Sequence, residues 1–122
     1  MRHTREIESN YQMGTIIGSG GTVTSTGVDW SVWEPSARMV VTVGATPSGT
    51  VVATLQQGTA LASGYSTVGT INTVGDTGGT AVYQYASGQL TDRYVRVVAT
   101  CTGGTALTSA SIIGKRRTVT DA

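Results

Sequence analysis

From Met13 onward, apolar and polar residues alternate in short runs that glycine-rich turns interrupt. The clearest run is Arg38-Met39-Val40-Val41-Thr42-Val43. Side chains on a strand alternate between faces, so Met39, Val41 and Val43 share one side. Residues 50–57 repeat the pattern, with Val51, Ala53 and Leu55 on one face and Thr54 and Gln56 on the other. With Pro47-Ser48-Gly49 between them, these two runs predict an antiparallel hairpin. Further strands are expected at 13–17, 22–25, 28–33, 66–74 and 80–86, the last with Ala81, Tyr83 and Tyr85 on one side. Residues 92–102 read as a strong strand, which Gly103-Gly104 turns into a hairpin with 105–114. About eight antiparallel strands at this spacing predict an all-β fold, a β-sandwich or jelly roll. Residues 1–12 lack this pattern. They read as an N-terminal arm that orders against a neighbour, followed by a β-sandwich domain over 13–115 and a tail over 116–122.

Composition narrows the class. Gly, Thr and Val fill 54 of the 122 positions, Phe is absent, and there is one Lys, so a helical bundle is excluded. With 39% apolar residues and a net charge of +1, the chain is not of disordered composition. No apolar run is long enough for a helical membrane span, and a single cysteine cannot build a disulfide scaffold. The first residues lack the apolar core of a signal peptide, so synthesis in the cytoplasm is expected.

Charge changes the picture more. Only 12% of residues are charged, and eight of the fifteen charges lie in the outermost eight positions at each end. From Met39 to Gly75 there is none. A monomer ordinarily stays soluble through interspersed charge. A near-neutral body therefore implies a surface wetted by hydroxyls or covered by partners. Few charges guard the strand edges, which also points to an oligomer or a docked state.

Groups able to do chemistry are scarce in the chain. His3 lies in the arm, and Cys101 sits mid-strand among small residues as a buried thiol. Gly18-Ser19-Gly20-Gly21-Thr22 lacks the lysine and the helix of a phosphate loop. Asp29 and Glu34 flank a turn, and Asp76 lacks the companion acids of a calcium loop. No catalytic residue, metal or cofactor is expected. Lys115-Arg116-Arg117 is the one basic cluster, read either as a solvated tail or as a contact for an acidic partner. A net charge of +1 without interleaved aromatics speaks against nucleic acid. Trp30 and Trp33, three apart on a strand, are expected on opposite faces, one in the core and one at an interface. Arg93 and Arg96 are likewise expected on opposite faces, with at least one buried at an interface or paired with Asp92 or Glu34.

The order of elements over 26–115 resembles that of head decoration, or cement, proteins of tailed bacteriophages. The resemblance rests on Gly27-Val28-Asp29-Trp30, on Met39-Val40-Val41-Thr42-Val43-Gly44-Ala45 leading through Gly49-Thr50 into Val51-Val52-Ala53-Thr54-Leu55-Gln56, on Asp92-Arg93-Tyr94-Val95-Arg96-Val97, and on Gly103-Gly104-Thr105. It departs at Gly58-Thr59-Ala60-Leu61-Ala62-Ser63-Gly64, where such proteins carry a polar, aromatic-bearing loop. The resemblance implies a homo-oligomer, trimer before dimer, on the capsid surface of a virion. Its partner would be the major capsid protein, with neither membrane nor nucleic acid involved. The contact residues expected are Arg2, Arg5, Ile7 and Tyr11 in the arm, then Trp30, Trp33 and Arg96, then Lys115, Arg116 and Arg117. The alternative is a carbohydrate- or host-surface-binding module of a tail or fibre, with Trp30, Trp33, Tyr83 or Tyr85 as stacking platforms.

Overall fold

The structure, a computed structural model, describes residues 8–17, 21–44, 50–72, 81–103 and 106–115; residues 8–17, 81, 106 and 107 are described by their backbone alone. These residues form nine strands: β1 (Glu8–Ile17), β2 (Thr22–Thr24), β3 (Val28–Asp29), β4 (Arg38–Val43), β5 (Thr50–Gly58), β6 (Tyr65–Asn72), β7 (Ala81–Ala86), β8 (Tyr94–Thr102) and β9 (Ala106–Gly114). One sheet has the order β1-β9-β4-β7 and the other β2-β8-β5-β6, with β3 also on β8. All pairings are antiparallel.

Strands β2 and β3 run along β8 as one interrupted strand. The buried Ser25 bridges the gap: its N–H donates to the Val97 carbonyl at 2.9 Å, and its Oγ accepts from the Val97 N–H at 2.9 Å. Counted so, the fold has eight strands. The chain crosses between sheets at nearly every connection, which is jelly-roll topology.

The alternation read from the sequence is the packing pattern. Met39, Val41 and Val43 of β4 face Val51, Ala53 and Leu55 of β5 and Val95, Val97, Ala99 and Cys101 of β8 across the core, with Ala110 and Ile112 beside them. Burying one such Val or Leu side chain contributes about 1.5–3 kcal/mol. Thr108 is buried among them, and its hydroxyl has no hydrogen-bond partner among the described residues.

Several expectations are corrected. Strands β4 and β5 lie in opposite sheets and do not pair; β4 pairs with β7 and β9, and β5 with β6 and β8. Likewise β8 and β9 belong to different sheets. Both supposed hairpins are therefore crossovers between layers. The chain also enters its sheet earlier than expected. Strand β1 starts at Glu8, paired with Gly114, so residues 8–12 are part of the sandwich.

Candidate functional site at the charged pole

Strand register gathers the body's charges. Strands β4 and β8 begin, and β3 and β9 finish, at the same end of the sandwich, as Arg38↔Ile113 and Asp29↔Tyr94 show. Every charged side chain that the structure describes lies at that pole: Asp29, Glu34, Arg38, Asp92, Arg93, Arg96 and Lys115. Glu8, whose backbone alone is described, begins β1 there opposite Gly114. The described residues at the opposite end carry no charge. Asp76, the remaining body charge, lies outside the described residues.

A tryptophan corner builds this pole. Strand β3 stops at Asp29, whose Oδ1 accepts the Ser31 N–H at 2.9 Å, and the Trp33 N–H then donates to the Trp30 carbonyl at 3.0 Å. This turn brings both indoles to one side. The expected opposite faces do not occur, because the period-two rule ends where the strand ends. The rings stack with centroids 5.1 Å apart and planes 21° from parallel, and both are buried. The Trp30 Nε1–H donates to the Glu34 carbonyl at 3.0 Å, and the Glu34 N–H donates to the Lys115 carbonyl at 2.7 Å. The indoles fill the space over Gly114. Both indoles are core side chains, where one in the core and one outside was expected.

Arg93 precedes β8 instead of lying within it. It pairs with Asp29, not with Asp92 or Glu34, at 2.9 Å through Nη2 and 3.2 Å through Nε. The hydrogen bonds from Arg93 and then from the Ser31 N–H hold the Asp29 carboxyl well below the usual carboxylate range, and Asp29 raises the Arg93 guanidinium in turn. This is the one ion pair among the described residues, and its partners are 59% and 44% exposed, so screening weakens it. Arg93 also lies over the Tyr94 ring, at 5.2 Å from its centroid.

Arg96 projects from the outer face of the β8 sheet. Its Nε–H donates to Gln56 Oε1 at 2.8 Å, and its guanidinium carbon stands 3.9 Å from the centroid of Tyr65. The Tyr65 hydroxyl donates to the Leu61 carbonyl at 2.7 Å and packs against Gly27, which has no side chain to exclude it. Burial pushes the Tyr65 hydroxyl up, the nearby Arg96 opposing it. Gln56, Tyr65 and the whole Gly27 contact were not singled out in the sequence. Gln56 and Tyr65 lie 40 and 31 positions from Arg96, and the β5–β6 and β5–β8 registers bring the three together.

The other expected contact residues separate. Lys115 is exposed at the pole, and Tyr11 lies in β1 opposite Ile112. Arg2, Arg5, Ile7, Arg116 and Arg117 lie outside the described residues, as do His3 and most of the 18–22 glycine segment. Tyr83 and Tyr85 pack against the core from β7. Tyr85 lies over Gly69 and donates to the Val68 carbonyl at 3.1 Å, closing that side of the sandwich.

Two open clefts flank the corner. One, of about 290 Å³, has Trp30, Ser31, Pro35, Leu90 and Arg93 in its walls; the other, of about 270 Å³, has Ser36, Arg38, Ala86, Ser87 and Lys115. The Ser87 hydroxyl is occupied by the Ala37 N–H at 2.7 Å and the Gly88 carbonyl at 3.0 Å. Cys101 is buried in the core. Among the described residues no three His, Cys, Asp or Glu side chains gather as metal ligands.

No known protein family and no curated protein matches the sequence. Solved structures do match. The PBSX exported protein XepA superposes with a TM-score of 0.62 at 12% identity, over 95% of this chain and 38% of that one. The chain thus spans well under half of that protein's length. PirA superposes at 0.52 and 14% identity, over 89% of this chain and 96% of that one. The carbohydrate-binding module CBM6cm-2 from Cellvibrio mixtus lichenase 5A, in complex with cellotriose, superposes at 0.51 and 16% identity, over 92% and 91%. These likenesses show a shared all-β sandwich fold.

Proposed function

We propose that the protein is a non-catalytic docking protein of a virion, which binds the outer surface of a tailed-phage capsid and bridges its subunits. The segregation of charge carries this reading. Strand β1 begins at Glu8 and β9 ends at Gly114, side by side, so both charge-rich ends of the chain join the body at the pole that holds its other described charges. The rest of the body is a hydroxyl-rich scaffold whose described residues are uncharged. Such a molecule works by adhesion: one charged end selects the partner, and neutral flanks lie against it without desolvating ions. Repetition across a shell turns modest contacts into firm attachment. The sequence resemblance to decoration proteins supports the same reading, with the correction that Gly103 leads into a crossover between sheets.

The second reading, a carbohydrate-binding module, draws on the fold shared with the cellotriose-bound module. The described aromatic side chains speak against it. Trp30 and Trp33 are buried, Tyr83 and Tyr85 pack against the core, and Tyr65 and Tyr94 each have a guanidinium over the ring. A sugar that stacked on those last two would first have to displace an arginine.

Co-sedimentation of the purified chain with undecorated shells of the phage that carries its gene tests the proposal. Saturable binding at a fixed number of copies per shell is expected. A folded protein that stays in the supernatant overturns it, and retention on a glycan array transfers the case to the second reading.

A further inference from the structure

We infer that Arg96 is a preformed receptor for a carboxylate on the partner protein, set in the outer face of the β8 sheet. This rests on the docking reading and names the chemistry of the contact.

The three described arginines are used differently. Arg93 spends Nε and Nη2 on Asp29, and Arg38, exposed, gives Nη1 to Gln84 Oε1 at 2.7 Å. Arg96 alone is half-buried without an acid: only Nε–H is engaged, by the neutral Gln56. A guanidinium carries five N–H donors. The four on Nη1 and Nη2 of Arg96 have no acceptor among the described residues, and no carboxylate lies within ion-pair distance of it there.

The group is also held still. Gln56 fixes Nε from the neighbouring strand and itself donates to Thr67 Oγ1 at 3.5 Å, while the Tyr65 ring supports the guanidinium plane at 3.9 Å. A long side chain held in one place has already lost the rotamer freedom that binding otherwise removes. The planar fork then fits one ligand type best, a carboxylate taken by two parallel hydrogen bonds.

The surroundings suit a protein partner. Thr54, Val98 and Thr100 continue the face along β5 and β8, and the one acid among the described strand positions of this sheet, Asp29 of β3 opposite Tyr94, is taken by Arg93. Arginine and tyrosine in a patch otherwise short of Lys, Asp and Glu is the composition of an interface core. An anionic glycan would also bring a carboxylate, but the rings beside Arg96 are covered. The occupant is therefore an Asp or Glu side chain of the partner surface, set opposite the one cation among this face's described residues that lacks an acid.

Shell co-sedimentation is repeated with Arg96→Lys and Arg96→Glu, and with Val82→Thr on the opposite sheet as control. Lysine keeps the charge but loses the fork, so at least a tenfold weaker affinity is expected for Arg96→Lys and no binding for Arg96→Glu. Melting temperatures should stay close to the parent's, and Val82→Thr should bind as the parent does. Both Arg96 variants folded and bound as tightly as the parent would overturn the inference while leaving the docking reading intact. A second arm stands apart from shells: the Arg96 Nε–H resonance is followed during titration with hexaglutamate, and separately with heparin. A saturable shift with hexaglutamate supports the carboxylate receptor even if shell binding fails. An unmoved resonance overturns it, and a shift with heparin alone overturns the assignment to a protein partner.

Discussion

Gly114 shows how much one hydrogen in place of a side chain can decide. A Cβ there would lie 2.9 Å from Trp30 Cη2 and 3.2 Å from Trp33 Cε3, and closer still to Trp30 Cζ2. Trp30 Nε1–H is tied to the Glu34 carbonyl and both rings are buried, so making room has a cost. Gly114→Ala is therefore expected to lower stability by about 1–3 kcal/mol, the cost of overpacking a filled site; chemical denaturation measures it, and an unchanged midpoint would show that the corner opens freely. Asp29 makes a different kind of prediction, one of pH. Its carboxyl is held below its ordinary value of 3.8, first by Arg93 and then by the Ser31 N–H. A depressed folded-state value means that the stabilisation is complete above about pH 4 and fades as pH falls through the acid range toward the folded value. Asp29→Asn should remove that part of the acid sensitivity and leave stability at pH 7 slightly lower, because the pair is exposed. Equal acid midpoints for the parent and Asp29→Asn would show that the pair contributes nothing.

At the level of elements, β1 separates what belongs to the fold from what is attached to it. Its ladder with β9 runs from Glu8↔Gly114 to Ile17↔Ala106, with an irregularity between Ser9 and Tyr11. Deleting residues 1–7 leaves every described pairing in place, whereas deleting 1–12 removes the partners of Gly114, Ile113, Ile112 and Ser111. The shorter deletion is expected to melt like the parent and the longer one several degrees lower, read by circular dichroism. Identical melting of the two would mean that the first half of β1 adds nothing to the sheet. The sequence revealed strands well and their partners poorly, and for one reason. Alternation reports which side chains are buried, and Met39, Val41 and Val43 of β4 or Val51, Ala53 and Leu55 of β5 are buried in the way alternation requires. The same alternation is produced by a hairpin and by a crossover between layers, so β4–β5 and β8–β9 read as hairpins although they span the core. Among the described strands only β5 and β6 pair as consecutive strands, around a turn in which Gly64 has a φ of 76°. The Trp30–Trp33 stack was illegible on similar grounds: a strand-like run of apolar residues contained a turn set by Asp29 and Ser31. Arg96 was visible as a charge. Its support by Gln56 and Tyr65 was hidden, since those residues are 40 positions away for one and 31 for the other and meet only through sheet register.

The whole molecule is folded by an apolar core and carries its described charged side chains at one pole, and folding and docking should answer differently to salt. Folding rests on burial of aliphatic side chains between the sheets, which added salt does not screen. Docking, as proposed, rests on Arg96 and on the charged segments that join the body at the same pole, and these act through fields that shorten from about 10 Å at 0.1 M salt to about 3 Å at 1 M. The melting temperature is accordingly expected to change little between 0.05 and 0.5 M sodium chloride, as round working concentrations on the scale of that screening. Shell affinity should fall steeply over the same interval, through slower association first, since steering by charge is the part that salt removes. Arg96→Lys should keep most of this salt dependence, because it keeps the charge, while binding more weakly at every concentration, because it loses the paired hydrogen bonds. Affinity that is flat in salt, or that rises with it, would place the contact on the neutral hydroxyl-rich faces and take the charged pole out of the docking surface.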